Sequence, residues 1–204
     1  MEKLSRKTAA LLSVHTAVLL FGIAGLFGKL INLSPAVIVF GRTFFAAVSL
    51  GIVALTQKRQ HPLCTLRDLP LLAVMGLLLA VHWTAFFMSI KVSTVAIGVI
   101  TFSAFPLFIT FLEPLFFRER LLLPDILTAV LIIAGIALII PGFDLHDPAV
   151  RGVLWGTFAG FTFALLSLAN RTVIQRVTPL AAALFQNAAA ALLLLFCLCS
   201  FSAA

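Results

Sequence analysis

Seven apolar runs, each near the length of a membrane crossing, divide this 204-residue chain and leave room for little except a bundle of membrane helices. A helix needs about 20 apolar residues to cross the hydrocarbon layer. The runs cover roughly residues 9–31, 35–56, 69–90, 94–117, 125–141, 151–170 and 180–203. The expected fold is therefore all-α, a polytopic bundle of about seven spans. Hydrophobic residues make up 62% of the chain and charged residues only 10%. Soluble domains carry about 25% charged residues. A water-facing surface cannot be built from so few charges, so the partner of this surface is the lipid bilayer. The net charge of +7 does not point to nucleic acid, because the cations sit between apolar runs.

The placement of those cations predicts the orientation. Lys3, Arg6, Lys7, Lys58, Arg59, Arg67, Arg118, Arg120, Arg171 and Arg176 all fall on one side of the membrane. Lys29, Lys91 and Arg151 fall on the other. Lys and Arg accumulate in cytoplasmic loops. The expected protein is a multi-pass inner (plasma) membrane protein with its amino terminus in the cytoplasm and residue 204 outside.

One pattern occurs twice. Ser34-Pro35 opens the second run and Arg42-Thr43 follows inside it; Thr178-Pro179 opens the last run and Gln186-Asn187 follows at the same offset of 144. Pro35, Ala46, Ala47 and Leu50 match Pro179, Ala190, Ala191 and Leu194. Five spans separate the two openings. An odd number of helices per repeat inverts the second copy, the arrangement many secondary transporters use for alternating access. The expected division is a five-helix repeat at 1–142 and the first two helices of an inverted repeat at 143–204.

Charged and polar residues inside a span are costly and mark functional positions by default. Arg42 lies seven residues past Pro35, about 10 Å into the span at 1.5 Å per residue. It either snorkels to the outer headgroups or faces an aqueous cavity and attracts a carboxylate-bearing solute. Gln186 and Asn187 stand at similar depth from the opposite face, on the path or in ordinary interhelical bonding. His82 and Trp83 lie mid-span, where a histidine can couple a proton or simply bond a neighbouring helix. Pro106 interrupts the fourth run at mid-depth, and such an interruption points to a binding site. Ser103 and Thr101 stand close enough to satisfy the carbonyl it frees. Glu113 near the inner end is a candidate gate or proton site, or a partner for Arg118 or Arg120. Gly152, Gly156 and Gly160 form a small-residue stripe expected to pack helices, and Gly22, Gly25 and Gly28 are expected to do the same.

Several chemistries lack their residues. The chain has no Gly-x-x-x-x-Gly-Lys-Ser/Thr phosphate loop and no His-Glu-x-x-His pair. No aspartate lies in the interior of a span and the last span has no lysine for a Schiff base. The expectation is no enzyme activity, no cofactor and no metal. Cys197 and Cys199 read as buried apolar fillers and Cys64 as a free loop thiol.

The stretch from His82 to Gly142 resembles the EamA type of the drug/metabolite transporter superfamily. It carries Ser93-Thr94-Val95-Ala96, Phe105-Pro106-Leu107, Arg118-Glu119-Arg120-Leu121 and Ala134-Gly135 in that order. The two proline-opened runs also fit. The resemblance implies a permease of ten helices in two inverted five-helix repeats, moving amino acids, other metabolites or drugs, often outward. It implies that Arg42, His82, Trp83, Pro106 and Gln186 lie near a central cavity and that Glu119 caps the inner end of the fourth span. The seven runs depart from that ten-helix pattern, and the expectation is a chain truncated after the seventh helix. Proton coupling and a homodimer are compatible with it. The competing readings are a truncated product that inserts without transporting and, on weaker grounds, a receptor or membrane enzyme of another class.

Overall fold

The computed structural model describes residues 2–56, 64–139, 142 and 144–202, and there it consists of helices joined by short turns and loops. Lys58, Arg59 and Pro141 lie outside the described residues. The helices are α1 (Glu2–Leu30), α2 (Pro35–Thr56), α3 (Leu69–Val92), α4 (Val95–Phe102), α5 (Phe105–Phe117), α6 (Leu123–Ala137), α7 (Pro148–Val173) and α8 (Pro179–Ser202). Among the described residues six segments are long and apolar enough to cross a membrane, one of them α4 and α5 taken together as Val95–Phe117. The fifth run forms the shorter α6. The protein is a polytopic helical bundle.

Prolines start most of these helices. Pro35 and Pro179 are first residues, and α3, α5, α6 and α7 each have a proline in the first two positions. The first-turn N–H has no helical partner anyway, so proline sets φ there at little cost. Side chains finish the caps: Asp147 accepts from the Ala149 amide at 2.7 Å to start α7, and Thr94 accepts from the Ile97 amide at 3.2 Å to start α4.

Helix α3 is the centre of the bundle. It packs along α7 and α8 and also meets α2, α4 and α1. The two helices with matching proline openings, α2 and α8, lie against each other. Lipid is as apolar as leucine, so close packing and hydrogen bonds must hold such helices together. The Gly152–Gly156–Gly160 stripe faces the junction of α3, α4 and α5. A Cβ on Gly152 would strike Ser93, and one on Gly156 would strike Thr101. A Cβ on Gly160 would lie 3.2 Å from the Phe102 carbonyl oxygen. Ser89 donates across the same seam to the Gly152 carbonyl at 2.6 Å. In α1, Gly28 sits on the Phe87 ring and Gly25 lies near Ile90, whereas Gly22 has open space around it.

The lysines at the opposite end from the basic loops have a structural task. Lys29 of α1 donates to the carbonyls of Ile90 at 2.9 Å and Ser93 at 2.6 Å, at the end of α3. Lys91 of α3 returns the bond to Ile31 at the end of α1. Each ammonium satisfies terminal carbonyls and complements the negative end of a helix dipole.

Two sequence expectations change here. Cys197 and Cys199 are exposed, not buried fillers. A thiol is apolar enough for a lipid-facing position, so its chemistry does not demand an interior. Cys64 is a free, half-buried thiol. Ser103 and Thr101 do not serve the carbonyl freed by Pro106; they bond Val99 and Ile97 one turn back, at 2.8 and 2.6 Å.

The turn before α3 gives a pH test. The Asp68 carboxylate accepts from the Thr65 hydroxyl at 2.6 Å and the Thr65 amide at 3.0 Å. These bonds, helped by Arg176, hold its pKa below the ordinary 3.8. A depressed folded-state pKa contributes stability above the unfolded value and loses it as pH falls through the folded one. Asp68→Asn is therefore expected to melt below wild type at neutral pH, with the gap closing in acid below the ordinary carboxylate range. A gap that stays constant across that range in a detergent melting series would exclude the carboxylate as its source.

Candidate functional site

The sequence candidates separate into three places. The first joins α2 to α3. Arg42, half-buried on α2, lays its guanidinium carbon 3.3 Å from the centre of the Trp83 ring on α3. A guanidinium over an indole gains about 0.5–2 kcal/mol, more as water is removed. The side chain thus turns onto a neighbouring helix. Asp144 and Asp147, the loop carboxylates on its side of the membrane, are engaged locally, with the amides of His146 and Ala149.

Trp83 also meets His82, with ring centres 4.9 Å apart. His82 is 1% exposed, and its Nδ1 lies 2.9 Å from the Ala159 carbonyl of α7. A carbonyl only accepts, so Nδ1 carries the hydrogen; in the neutral imidazole Nε2 then presents a lone pair. Phe102 and Phe163 enclose the ring at 5.2 and 5.0 Å. An aromatic wall continues through Phe86, Phe87 and Phe105. Arg42, Trp83 and His82 therefore form one cluster of a cation, a π face and an imidazole in the middle of the bundle.

The second place lies between α7 and α8. Gln186, 6% exposed, donates to the Asn170 side-chain oxygen at 2.9 Å. Asn170 in turn donates to the Leu166 carbonyl at 3.1 Å. The backbone carbonyl of Gln186 lies 2.9 Å from where a Cβ on Gly76 would stand, so α8 and α3 approach closely there. Asn187 donates to Ala183 on its own helix at 2.8 Å.

The third place is the basic end of the bundle. Glu113 and Glu119 both accept from Arg171 of α7, at 3.0 and 2.5 Å. The expected partners of Glu113, Arg118 and Arg120, are replaced by a residue on a different helix. Arg118 has a positive φ of 56° and closes α5. That left-handed cap turns the chain sharply, and Glu119 next to it pairs with Arg171. Pro106 is the second residue of α5, just after the break in the fourth span and next in the chain to Phe105 of the aromatic wall.

Sequence reasoning missed Asn170 and Arg171. A polar pair closing an apolar run was the available signal, but nothing in the order of residues tells which helices they meet. A separate groove of about 300 Å³ between α3, α7 and α8 is lined by Leu77, Trp155, Phe158 and Leu193 among others, and holds no charged group. No grouping of His, Cys, Asp or Glu suited to a metal occurs among the described residues.

Residues 8–140 match the profile of the EamA-like transporter family. The chain belongs to that family. It is also similar to a Bacillus subtilis (strain 168) protein described as the uncharacterized transporter YxxF, with 24% identity over 194 residues. That alignment covers 93% of this chain and 62% of the relative, so the chain spans less than two thirds of that protein's length. No solved structure matches the chain. The family and the apolar helices together make this chain a multi-pass membrane protein of the EamA-like family.

Proposed function

We propose that this EamA-like chain conducts a small organic solute bearing a carboxylate, by alternating access, with Arg42 and Trp83 as its first recognition point. The observation that carries the reading is the guanidinium stacked 3.3 Å over the indole inside a membrane span. Stacking fixes the plane of the guanidinium against the indole. A planar fork of N–H donors suits a carboxylate better than a point charge does. The π face beneath it favours solutes with an apolar or aromatic part. Amino acids and similar metabolites fit that description. In this reading His82 is the group through which a proton is coupled, and the basic end of the bundle faces the cytoplasm of the inner membrane.

A single-cysteine experiment tests the water access this reading requires. With Cys64, Cys197 and Cys199 replaced by alanine, Arg42→Cys in proteoliposomes should react with a charged methanethiosulfonate reagent. It should react at least tenfold faster than Leu131→Cys on α6, a position 73% exposed toward the surroundings of the bundle. Equal, slow reaction at both positions would place residue 42 against lipid and remove the site.

A further inference from the structure

Like α1 and α2, the α5–α6 hairpin buries little of itself in the bundle. No residue of α5 is fully buried, while α3 and α7 bury much of their length. α5 touches α7 through ring contacts, Phe105 on Phe163 at 5.0 Å and Phe108 on Phe161 at 5.5 Å. α6 packs chiefly on α5 and buries Ala129 alone. Few buried residues mark an element of low local stability.

The two ends of α5 are built for different tasks. At its start, Ser103 and Ala104 separate it from α4, and Pro106 lacks the N–H that would continue the helix. At its finish, Glu113 and Glu119 both hold Arg171, whose guanidinium also stacks 4.4 Å from the Phe117 ring centre. These charged groups are 32–45% exposed. Exposed pairs are individually weak. A buried pair would lock a helix permanently, whereas a weak one leaves two arrangements close in free energy.

We propose that the α5–α6 hairpin is a gate, hinged at Ser103–Ala104 and latched at the basic end by Arg171 between Glu113 and Glu119. The break lets α5 tilt without disturbing α4, which the glycine stripe of α7 holds in place. α6 travels with α5 because it has little other support. Opening separates the basic ends of α5 and α7. The proposal concerns this motion and stands or falls independently of which solute is carried.

Spin-label distance measurements on the whole chain in nanodiscs test it. In the background free of native cysteines, one label pair replaces Phe116 on α5 and Thr172 on α7, both exposed. A control pair replaces Leu77 on α3 and Leu154 on α7. At low salt the gate pair should give one short distance population. Arg171→Gln should add a longer population amounting to at least a fifth of the molecules, with the control pair unchanged. The double variant Glu113→Gln/Glu119→Gln should reproduce it, which guards against a folding failure of either variant. At 1 M salt, where screening acts within about 3 Å, wild type should shift the same way and Arg171→Gln should not respond. Superimposable gate distances in wild type and both variants would overturn the latch. Equal broadening of the control pair would overturn the hinge, since the cluster would then be supporting the bundle as a whole.

Discussion

Gly156→Leu should be the most damaging single substitution in the bundle, lowering stability by about 1–3 kcal/mol or more through overpacking. The side chain would enter the space held by the Thr101 hydroxyl and Cβ, with Ser89 Oγ 3.1 Å away from its first carbon. Thr101 is fully buried and bonded to Ile97, so it cannot swing aside freely. α4 would have to leave α7, and the nearby bond from Ser89 of α3 to the Gly152 carbonyl would be crowded too. Gly22→Leu is the control, because nothing lies within 4 Å of a Cβ there. Melting in detergent should show a large loss for Gly156→Leu and almost none for Gly22→Leu. Thr101→Ala should recover part of the loss in Gly156→Ala, since it removes the hydroxyl but not the Cβ.

Arg42 should show the largest effect on function. Arg42→Lys keeps the charge but loses the stacked plane and the paired donors, so it should reduce solute flux at least tenfold. Arg42→Gln should abolish it. Trp83→Leu should fall between the two by releasing the guanidinium from its platform. All three should insert and melt close to wild type, because cation–π contacts contribute only about 0.5–2 kcal/mol. A collapse of melting temperature in step with flux would make Arg42 a structural residue.

The spans could be read from the sequence because lipid imposes one length and one composition on every crossing. The break in the fourth span was equally legible, since Pro106 cannot donate into a helix wherever it sits. The pairings were not. Glu113 and Arg171 are 58 residues apart, and local spacing offered Arg118 and Arg120 instead. Lys29 and Lys91 entered the sequence reading as votes for orientation, yet each caps the other's helix. Arg42 and Trp83 were both conspicuous inside apolar runs, but nothing one-dimensional shows that α2 lays one over the other. Cys197 and Cys199 misled because thiols pass for core residues, and a membrane protein also has an apolar outside. Periodicity and composition fix which segments exist. Which side chains meet depends on how α3 gathers its neighbours.

The most direct test of the account is a mixed-solute release experiment. Proteoliposomes are loaded with an equimolar panel of amino acids, organic acids, amines and sugars, and the solutes retained are followed by mass spectrometry. The account predicts that at least one carboxylate-bearing solute leaves wild-type vesicles at least tenfold faster than it leaves protein-free or Arg42→Gln vesicles, while the sugars stay. Equal retention of every carboxylate in all three preparations, or faster release that Arg42→Gln leaves intact, would contradict it.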